Sequence, residues 1–221
     1  PRLMLFMPPR HGKSEIGSKT FPSWYLGRNP THEVIICSYA GDLAEDFSRK
    51  CRDLLDTDKF KAAFKTRLSA DSKSVKKWAT TDGGSFTAAG VGGPITGRGA
   101  HLGIIDDPVK NREEAESDKT RQNVKDWYSS AFYTRLAPGG GVLIIQTRWH
   151  DDDLAGWLLN IFDEAKQEAA EKGEAVPDDV DKWDLVEYPA IATQDEKYRK
   201  KGEALHEARY PLPSLRRIKR A

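Results

Sequence analysis

A glycine, a lysine and a serine stand together near the start of the chain, and residues of these types can hold phosphate groups. The stretch MPPRHGKS follows the spacing GxxxxGK[ST] of a phosphate-binding loop, except that Met7 replaces the first glycine. In such loops backbone N–H groups surround the phosphates, the lysine reaches the β- and γ-phosphates, and the hydroxyl holds Mg²⁺. We therefore predict that phosphate is bound by Pro9, Arg10, His11, Gly12, Lys13, Ser14 and Glu15.

The missing glycine is compensated, in our interpretation, by the residues that follow it. Pro8 and Pro9 stiffen the start of the loop and can replace the tight turn that a glycine would supply. Arg10 and His11 add hydrogen-bond donors, and Arg10 could contact the γ-phosphate. The alternative is a Gly-Lys-Ser helix start that binds no ligand.

Two aspartates end an apolar run further along the chain. The run HLGIIDDP, residues 101–108, predicts a buried strand that ends in Asp106 and Asp107. A phosphate loop needs a carboxylate from a second strand, which we expect to lie beside the strand that precedes the loop. Asp106 would then bind Mg²⁺ and Asp107 would orient or deprotonate the attacking water. The alternative is that both acids only cap the turn that Pro108 fixes.

The rest of the chain alternates between strands and helices. Apolar runs predict strands at residues 3–7, 33–39, 84–93 (with a glycine-rich turn at its end), 101–108, 142–149 and 183–191. Helical spacing predicts helices at residues 12–25, 41–55, 112–136 and 151–173, with a turn at 138–141, whereas the polar residues 56–82 are ambiguous. This alternation predicts an α/β fold with a mostly parallel central sheet flanked by helices.

Composition limits the other possibilities. The chain has 221 residues, which suits one large domain, with or without an appendage. It has 35 basic and 34 acidic residues, so net charge favours no partner class, and its two cysteines indicate free thiols rather than a disulfide framework. No apolar run approaches the ~20 residues of a membrane span. Because it begins with Pro1 and ends in a basic connector, PLPSLRRIKRA, we expect a piece of a longer protein.

Four motifs resemble one protein family when taken in order. PPRHGKS, SYAGDLAEDFSRKCRDLL, GPITGRGAHLGIIDDPVKN and IIQTRWHDDDLAG together resemble the ATPase domain of the large terminase subunit of tailed bacteriophages. The resemblance covers about residues 2–160 strongly, and later stretches resemble that family's exit into its linker. It implies a RecA-like (ASCE-type) P-loop NTPase core over residues 1–195 and a linker or C-terminal extension over residues 196–221.

The resemblance also implies an activity and partners. The expected activity is hydrolysis of ATP, with Mg²⁺, that drives double-stranded DNA into the procapsid. Expected partners are DNA, the small terminase subunit, the portal of the procapsid, and further copies in a ring, with a pentamer on the portal. Nuclease activity would belong to a C-terminal domain of the full-length protein, and the expected location is the host cell cytoplasm.

Three further sets of residues acquire roles through the resemblance. Arg98, between glycines in TGRGAH, would act in trans on the γ-phosphate of a neighbouring subunit. Gln146 and Thr147, which end the predicted strand 142–149, would couple the γ-phosphate to domain movement, and Arg148 is a second candidate for the finger or sensor. The catalytic set is thus Lys13, Asp107, Arg98 and Arg148, with Ser14 and Asp106 as metal ligands.

Other functions remain open from the sequence. A helicase-like or DNA-repair translocase has a related core, and a nucleotide switch that does not hydrolyse ATP would keep the same loop. The three aspartates 151–153 resemble a metal cluster, but they stand at a helix start, where capping is the better interpretation. For the aromatic residues around 127–133 we likewise expect core packing rather than base stacking.

Overall fold

One sheet runs through the whole molecule. The structure is a computed structural model that describes residues 1–95 and 97–220, without the side chains of Ser72 and Lys73; Thr96 and Ala221 lie outside it. Within these ranges the strands are β1 Arg2–Phe6, β2 Glu33–Ser38, β3 Leu68–Lys73, β4 Lys77–Thr80, β5 Ser85–Gly90, β6 Ala100–Asp106, β7 Leu136–Gln146 and β8 Asp184–Glu187.

Helices connect the strands and cover the sheet. The α-helices are α1 Phe21–Arg28, α2 Gly41–Leu55, α3 Asp58–Ala63, α4 Arg112–Glu116, α5 Asp118–Trp127, α6 Leu154–Lys172 and α7 Leu212–Arg220. A π-helix, Glu15–Thr20, precedes α1, and a second π-helix, Tyr128–Phe132, with a 3₁₀ turn, Tyr133–Arg135, follows α5. None of the helices in the described ranges is long and apolar enough to span a membrane.

The order of the strands is β3-β4-β5-β2-β6-β7-β1-β8. Neighbours from β5 to β8 run parallel, whereas β4 pairs antiparallel with both β3 and β5. Because β7 lies between β1 and β6, the expectation that the acidic strand neighbours the strand before the loop is wrong. The carboxyl ends of parallel strands nevertheless meet at one edge, and strands two places apart are only about 10 Å apart. Asp106 therefore still ends beside the loop.

Both faces are buried in the central strands β2 and β6 and in the second half of β7, which explains their continuous apolar runs. On β2, Val34 and Ile36 pack into one core cluster with residues of α1 and α2. Ile35 and Cys37 pack into the opposite cluster with residues of α5 and α6. Cys37 and Cys51 are buried free thiols, as the cysteine count predicts, and burial raises the pKa of both.

The glycine-rich stretch 138–141 differs from its prediction. It lies inside β7 and does not form a turn that precedes the strand. The register between β6 and β7 shifts there, since Ala100 pairs with Leu136 and Leu102 pairs with Gly141. Gly139 has a φ of 76°, so the extra residues form an irregular bulge. The strand is thus longer than its apolar half indicates.

Two other segments are more regular than predicted. The ambiguous polar residues 56–82 contain α3, β3 and β4, and β3 lies at the edge of the sheet. The basic connector near the C-terminus is the helix α7, which buries Leu215.

In the segment 112–136, Ser117 interrupts the predicted helix. The aromatic residues Trp127 and Phe132 of that segment are in the core, as expected.

Candidate active site

The predicted phosphate loop connects β1 to the first π-helix through left-handed backbone at two positions. Arg10 has a φ of 62° and Gly12 has a φ of 94°. The Ile16 N–H donates to the Gly12 carbonyl at 3.0 Å and closes the first helical turn. The left-handed turn is therefore made at Arg10 and Gly12, although this backbone costs a non-glycine residue about 1–2 kcal/mol. Met7, where such loops usually have glycine, packs as a buried residue.

Lys13 is at the centre of the site. Its side chain is buried, its ammonium group pairs with the Asp107 carboxylate, and it also donates to Thr147 Oγ1 at 3.0 Å. The loop, the residue after β6 and the residue after β7 thus bring together three side chains that the sequence analysis proposed separately. A phosphate oxygen that reached Lys13 Nζ would compete with Asp107 for the same positive charge.

Asp107 is held by its backbone as well as by Lys13. Its φ is 45°, its N–H donates to the Ile145 carbonyl at 2.8 Å, and its carbonyl accepts from the Tyr39 N–H at 3.0 Å. Its Oδ1 accepts from the Thr147 N–H at 2.9 Å. The carboxylate therefore has a fixed place between the ends of β2 and β7. Its side chain is 28% exposed, so water can reach it.

Asp106, by contrast, is 1% exposed. Its Oδ2 accepts from the Ser18 hydroxyl at 2.5 Å, and its Oδ1 has no hydrogen-bond partner among the described residues. Burial and the nearby Asp107 charge raise the pKa of Asp106 to about 6, against the effects of hydrogen bonds from Ser18 and Ser14 and the charge of Lys13. A carboxylate oxygen without a partner, close to a serine hydroxyl, is a set of hard oxygen donors that fits Mg²⁺.

Ser18 is a residue of the site that the sequence analysis missed. Its side chain is completely buried and lies on the π-helix that begins after Ser14. The available signal was a second serine one helical turn after Ser14, a spacing that places two side chains on one face of a helix.

The end of β7 connects the site to α6. Gln146 Nε2 donates to Asp153 Oδ2 at 2.9 Å, and Arg148 Nε donates to the same oxygen at 2.7 Å. Asp153 in turn caps α6, because its Oδ1 accepts from the Gly156 N–H at 2.9 Å. Thr147 contacts Lys13 and Asp107 while its two neighbours contact the start of α6. The predicted coupling residues thus join two elements, and the role of coupling itself stays a prediction.

Arg98 and Arg148 have different surroundings. The Arg148 guanidinium pairs with Asp153 and lies over the ring of Phe6, 5.2 Å from its centroid. Arg98 is exposed and lines a cavity of about 470 Å³ with Tyr39 and Lys76. It makes no ion pair with any residue in the described part of the chain. The structure therefore does not join either arginine to Lys13 within this chain.

Two other loop residues, His11 and Glu15, have described contacts that do not involve Lys13, Asp106 or Asp107. His11 Nδ1 donates to the Pro9 carbonyl at 2.9 Å, and its ring stacks on Tyr210 with a centroid distance of 4.7 Å. Glu15 pairs with Lys19 one turn along, at 2.6 Å. Residues from the predicted linker thus pack against the loop, and the division at residue 195 stays a prediction.

Two of the three aspartates 151–153 have structural roles in the described contacts. Asp153 is the N-cap of α6, as capping predicts, and Asp152 pairs with Lys125 at 2.7 Å and with Arg121 at 3.4 Å. His150 Nδ1 accepts from the Asp152 N–H at 2.9 Å. Within residues 1–95 and 97–220, no group of three or more acidic, histidine or cysteine side chains could hold a metal ion.

Comparisons with known proteins concern the family of the chain and its fold. The family description "Terminase large subunit, T4likevirus-type, N-terminal" matches residues 4–221, whereas no curated protein matches the chain. The crystal structure of the large terminase of bacteriophage HK97 matches with a TM-score of 0.51 and 14% identity, over 89% of this chain and 36% of that chain. The structure of a large terminase from a thermophilic bacteriophage gives a TM-score of 0.40 and 12% identity, over 85% of this chain and 39% of that chain.

The fold that the sequence predicts is confirmed by the HK97 match and by the sheet itself, which is mostly parallel and flanked by helices, as in RecA-like ATPase domains. This chain spans about a third of the length of the HK97 terminase. Because the family description covers residues 4–221, the chain belongs to the large terminase subunits of bacteriophages and corresponds to the N-terminal region of the T4-like-virus type.

Proposed function

We propose that this chain hydrolyses ATP and that hydrolysis drives double-stranded DNA into a procapsid. The observation that carries the proposal is the meeting of Lys13, Asp106 and Asp107 at one edge of the sheet, beside a loop with the spacing of a phosphate-binding loop. Membership of the terminase family supports ATP as the nucleotide and DNA as the polymer that moves.

The loop and β6 would hold the nucleotide between them. N–H groups of the loop surround the phosphates, and the Lys13 ammonium turns from Asp107 to the β- and γ-phosphates. The Ser14 hydroxyl and the open oxygen of Asp106 would hold Mg²⁺. When bound, Mg²⁺ neutralises charge on the phosphate oxygens.

Asp107 is the proposed base. Once Lys13 contacts phosphate, the Asp107 carboxylate can accept a proton from a water molecule that attacks the γ-phosphorus in line. The new bond joins the water oxygen to the γ-phosphorus. The bond from that phosphorus to the β–γ bridging oxygen breaks, and ADP leaves with the electron pair. Lys13 stabilises the charge that develops, and the Thr147 N–H holds the base in place.

A neighbouring subunit completes this proposed site with an arginine. We propose a ring on the portal, with a pentamer as the expected size, in which Arg98 or Arg148 reaches the γ-phosphate of the next subunit. The family also suggests a small terminase subunit as partner and a nuclease domain in the longer protein. Residues 196–221 would lead toward that domain, and the host cytoplasm would be the location.

The first test compares two lysines on one segment. Lys13→Ala and Lys19→Ala are assayed for Mg²⁺-dependent phosphate release from ATP, with and without double-stranded DNA. Lys19 is the control because it pairs with Glu15 and does not contact Asp107. We expect Lys13→Ala to lower turnover by about 10²-fold or more, as loss of a transition-state donor does, and Lys19→Ala to stay within about twofold of the unsubstituted chain.

Other results would favour the alternatives. A chain that binds ATP and releases no phosphate, even with DNA and procapsid, would be the non-hydrolysing switch. Strand separation by the chain, measured on a duplex with a single-stranded tail, would favour the helicase-like alternative. Full turnover by Lys13→Ala would contradict the proposed site altogether.

A further inference from the structure

The buried hydroxyl of Ser18 contacts the carboxylate of Asp106 at the candidate site. Its Oγ donates to Asp106 Oδ2 at 2.5 Å, and its side chain is shielded from solvent. Ser18 does not belong to the loop, so the loop pattern assigns it no role. A hydroxyl that donates to a buried carboxylate fixes both the orientation of that carboxylate and the oxygen that remains open.

The backbone around Ser18 leaves it little freedom. It lies on the π-helix Glu15–Thr20, in which the Phe21 N–H donates to the Ile16 carbonyl. A Cβ atom at Gly17 would lie 2.3 Å from Ile145 Cδ1, so this turn packs directly against β7. The close approach of helix and strand holds the Ser18 hydroxyl at the end of β6. Single π-helical turns occur often at functional sites.

The second carboxylate oxygen of Asp106, Oδ1, differs from Oδ2 in its hydrogen bonding. Oδ1 is buried and has no hydrogen-bond partner among the described residues, and neither has the hydroxyl of Ser38. Ser38 pairs in register with Asp106 on the neighbouring strand, so both side chains lie on the same face of the sheet. Ser18 therefore occupies one side of the carboxylate and leaves an unsatisfied polar oxygen on the other.

We propose that Ser18 is a positioning residue for the metal site: its hydroxyl holds Asp106 so that Oδ1 is available to the Mg²⁺ of a bound nucleotide. Ser14, which also contributes a hydrogen bond to Asp106, would turn toward the metal, while Ser18 would keep the carboxylate in place. The proposal rests on the proposed function, since it assigns a helper residue to the same site.

The test measures metal affinity separately from turnover. Mn²⁺ binding to the chain with saturating ADP is followed by electron paramagnetic resonance, and ADP affinity is measured in EDTA. The variants are Ser18→Ala and, as the matched control, Ser23→Ala. Ser23 is a buried serine in the following helix whose hydroxyl donates to the Lys19 carbonyl at 2.7 Å, away from Asp106. Thermal unfolding checks that each variant folds.

We expect Ser18→Ala to weaken Mn²⁺ binding about tenfold or more, the usual cost of losing a partner of a metal-binding residue. Metal-free ADP affinity and the Ser23→Ala variant should not change. Unchanged Mn²⁺ affinity in Ser18→Ala, or an equal loss in both variants, would overturn the proposal. If Ser18→Ala does not fold, Ser18→Cys carries the same comparison, because a thiol is a poor donor of similar size.

The two proposals fail in different ways. If the unsubstituted chain binds Mn²⁺ and ADP and shows the Ser18 effect but hydrolyses no ATP, only the proposed function fails. If it hydrolyses ATP while Ser18→Ala binds Mn²⁺ normally, only the role of Ser18 fails. Absence of Mn²⁺ binding to the unsubstituted chain with ADP would overturn both.

Discussion

Asp106 and Asp107 are adjacent in sequence and have different surroundings, so they suit different chemistry. Asp106 is buried beside Ser18, and burial raises its pKa to about 6. Asp107 is partly exposed and its carboxylate pairs with Lys13. Environments that separate two carboxylates in this way assign them separate roles. The buried one is suited to hold a cation, and the exposed one is suited to meet water.

Asp107→Asn should separate binding from turnover. The amide cannot accept the proton of the attacking water, so we expect phosphate release to fall about 10²-fold or more. ADP affinity should be unchanged or higher, because Lys13 loses a competing carboxylate. Stopped-flow phosphate release and calorimetric ADP binding measure the two effects. Asp82→Asn, at an exposed turn residue, is the control, and normal turnover in Asp107→Asn would contradict its role as base.

Asp152 gives a pH-dependent prediction. Hydrogen bonds and charge from Lys125 and Arg121 lower the pKa of Asp152 in the folded chain. A lowered pKa stabilises the fold above the ordinary aspartate pKa, and this contribution disappears as the pH falls through the folded value. Asp152→Asn should therefore lower the free energy of unfolding at pH 7 by a few tenths to about 1 kcal/mol.

The effect of Asp152→Asn should shrink as the pH falls below about 4. Urea unfolding at pH 7 and at pH 3 measures this difference. Asp151→Asn is the matched control, since the exposed side chain of Asp151 makes no ion pair with a described residue. A destabilisation by Asp152→Asn that is equally large at both pH values would show that packing, and not charge, is responsible.

That Lys13, Asp106 and Asp107 belong to one candidate site could be predicted because their types and spacing are local, whereas their contact with phosphate stays a prediction. Lys13 and Ser14 belong to one short motif, and Asp106 and Asp107 end one apolar run. Ser18 was missed because a serine one turn after Ser14 is a weak signal. Its contact with Asp106 depends on the packing of a π-helical turn against β7, which the spacing of apolar residues does not encode.

The sheet determines which residues meet, and its strand order was only partly predictable. Apolar runs identified the central parallel strands β2, β6 and β7 because both of their faces are buried over most of their apolar residues. The same runs carry no information on neighbours, so the position of β7 between β1 and β6 was missed. β3 and β4 were missed because their polar residues give no apolar run. The position of β7 has a structural consequence: Thr147 contacts Lys13, while the neighbouring Gln146 contacts Asp153 at the start of α6.

The end of β7 contacts the start of α6 through Asp153. A substitution at Gly156, in the first turn of α6, tests the packing at this contact. A Cβ atom at Gly156 would lie 1.7 Å from the Asp151 carbonyl oxygen, a backbone atom that cannot turn away. Gly156→Ala should therefore destabilise the chain by about 1–3 kcal/mol, as overpacking does. It should also disturb the contact of Asp153 with Gln146 and Arg148. Chemical unfolding measures the first effect, and ATP turnover measures the second.

Gly41 is the matched control for Gly156, since it also lies in the first turn of a helix. There a Cβ atom would meet only the Gly90 nitrogen, at 3.6 Å, which is an ordinary contact. Gly41→Ala should be neutral or stabilising by up to about 1 kcal/mol, because alanine favours helix. Equal stability of the two alanine variants would contradict the packing described for α6.

At the scale of the whole molecule, the proposed site needs an arginine that reaches the γ-phosphate of a neighbouring subunit, and the chain offers Arg98 and Arg148. Within the chain, Arg148 is already paired with Asp153, and its release would leave that buried carboxylate without its cationic partner, with hydrogen bonds only from Gln146 and Gly156. Arg98 is exposed beside a cavity and pairs with no described residue, so its use by another subunit breaks no contact seen here. Under the proposed function, the geometry therefore favours Arg98 over Arg148 as the arginine that would act in trans.

Mixed assemblies of two inactive variants test this choice. The Arg98→Ala variant retains Asp107, and the Asp107→Asn variant retains Arg98. If Arg98 acts in trans, an Arg98→Ala subunit is active when its neighbour is an Asp107→Asn subunit, because that neighbour supplies the arginine. In equal mixtures assembled on procapsid and DNA, we expect about a quarter of the unsubstituted ATPase rate, since half of the subunits keep Asp107 and half of their neighbours keep Arg98. The control mixture pairs Arg148→Ala with Asp107→Asn. Because Arg148 pairs with Asp153 inside its own chain, a neighbouring subunit cannot replace it, and that mixture should gain no activity over the separate variants. Recovery there and none with Arg98→Ala would reverse the assignment.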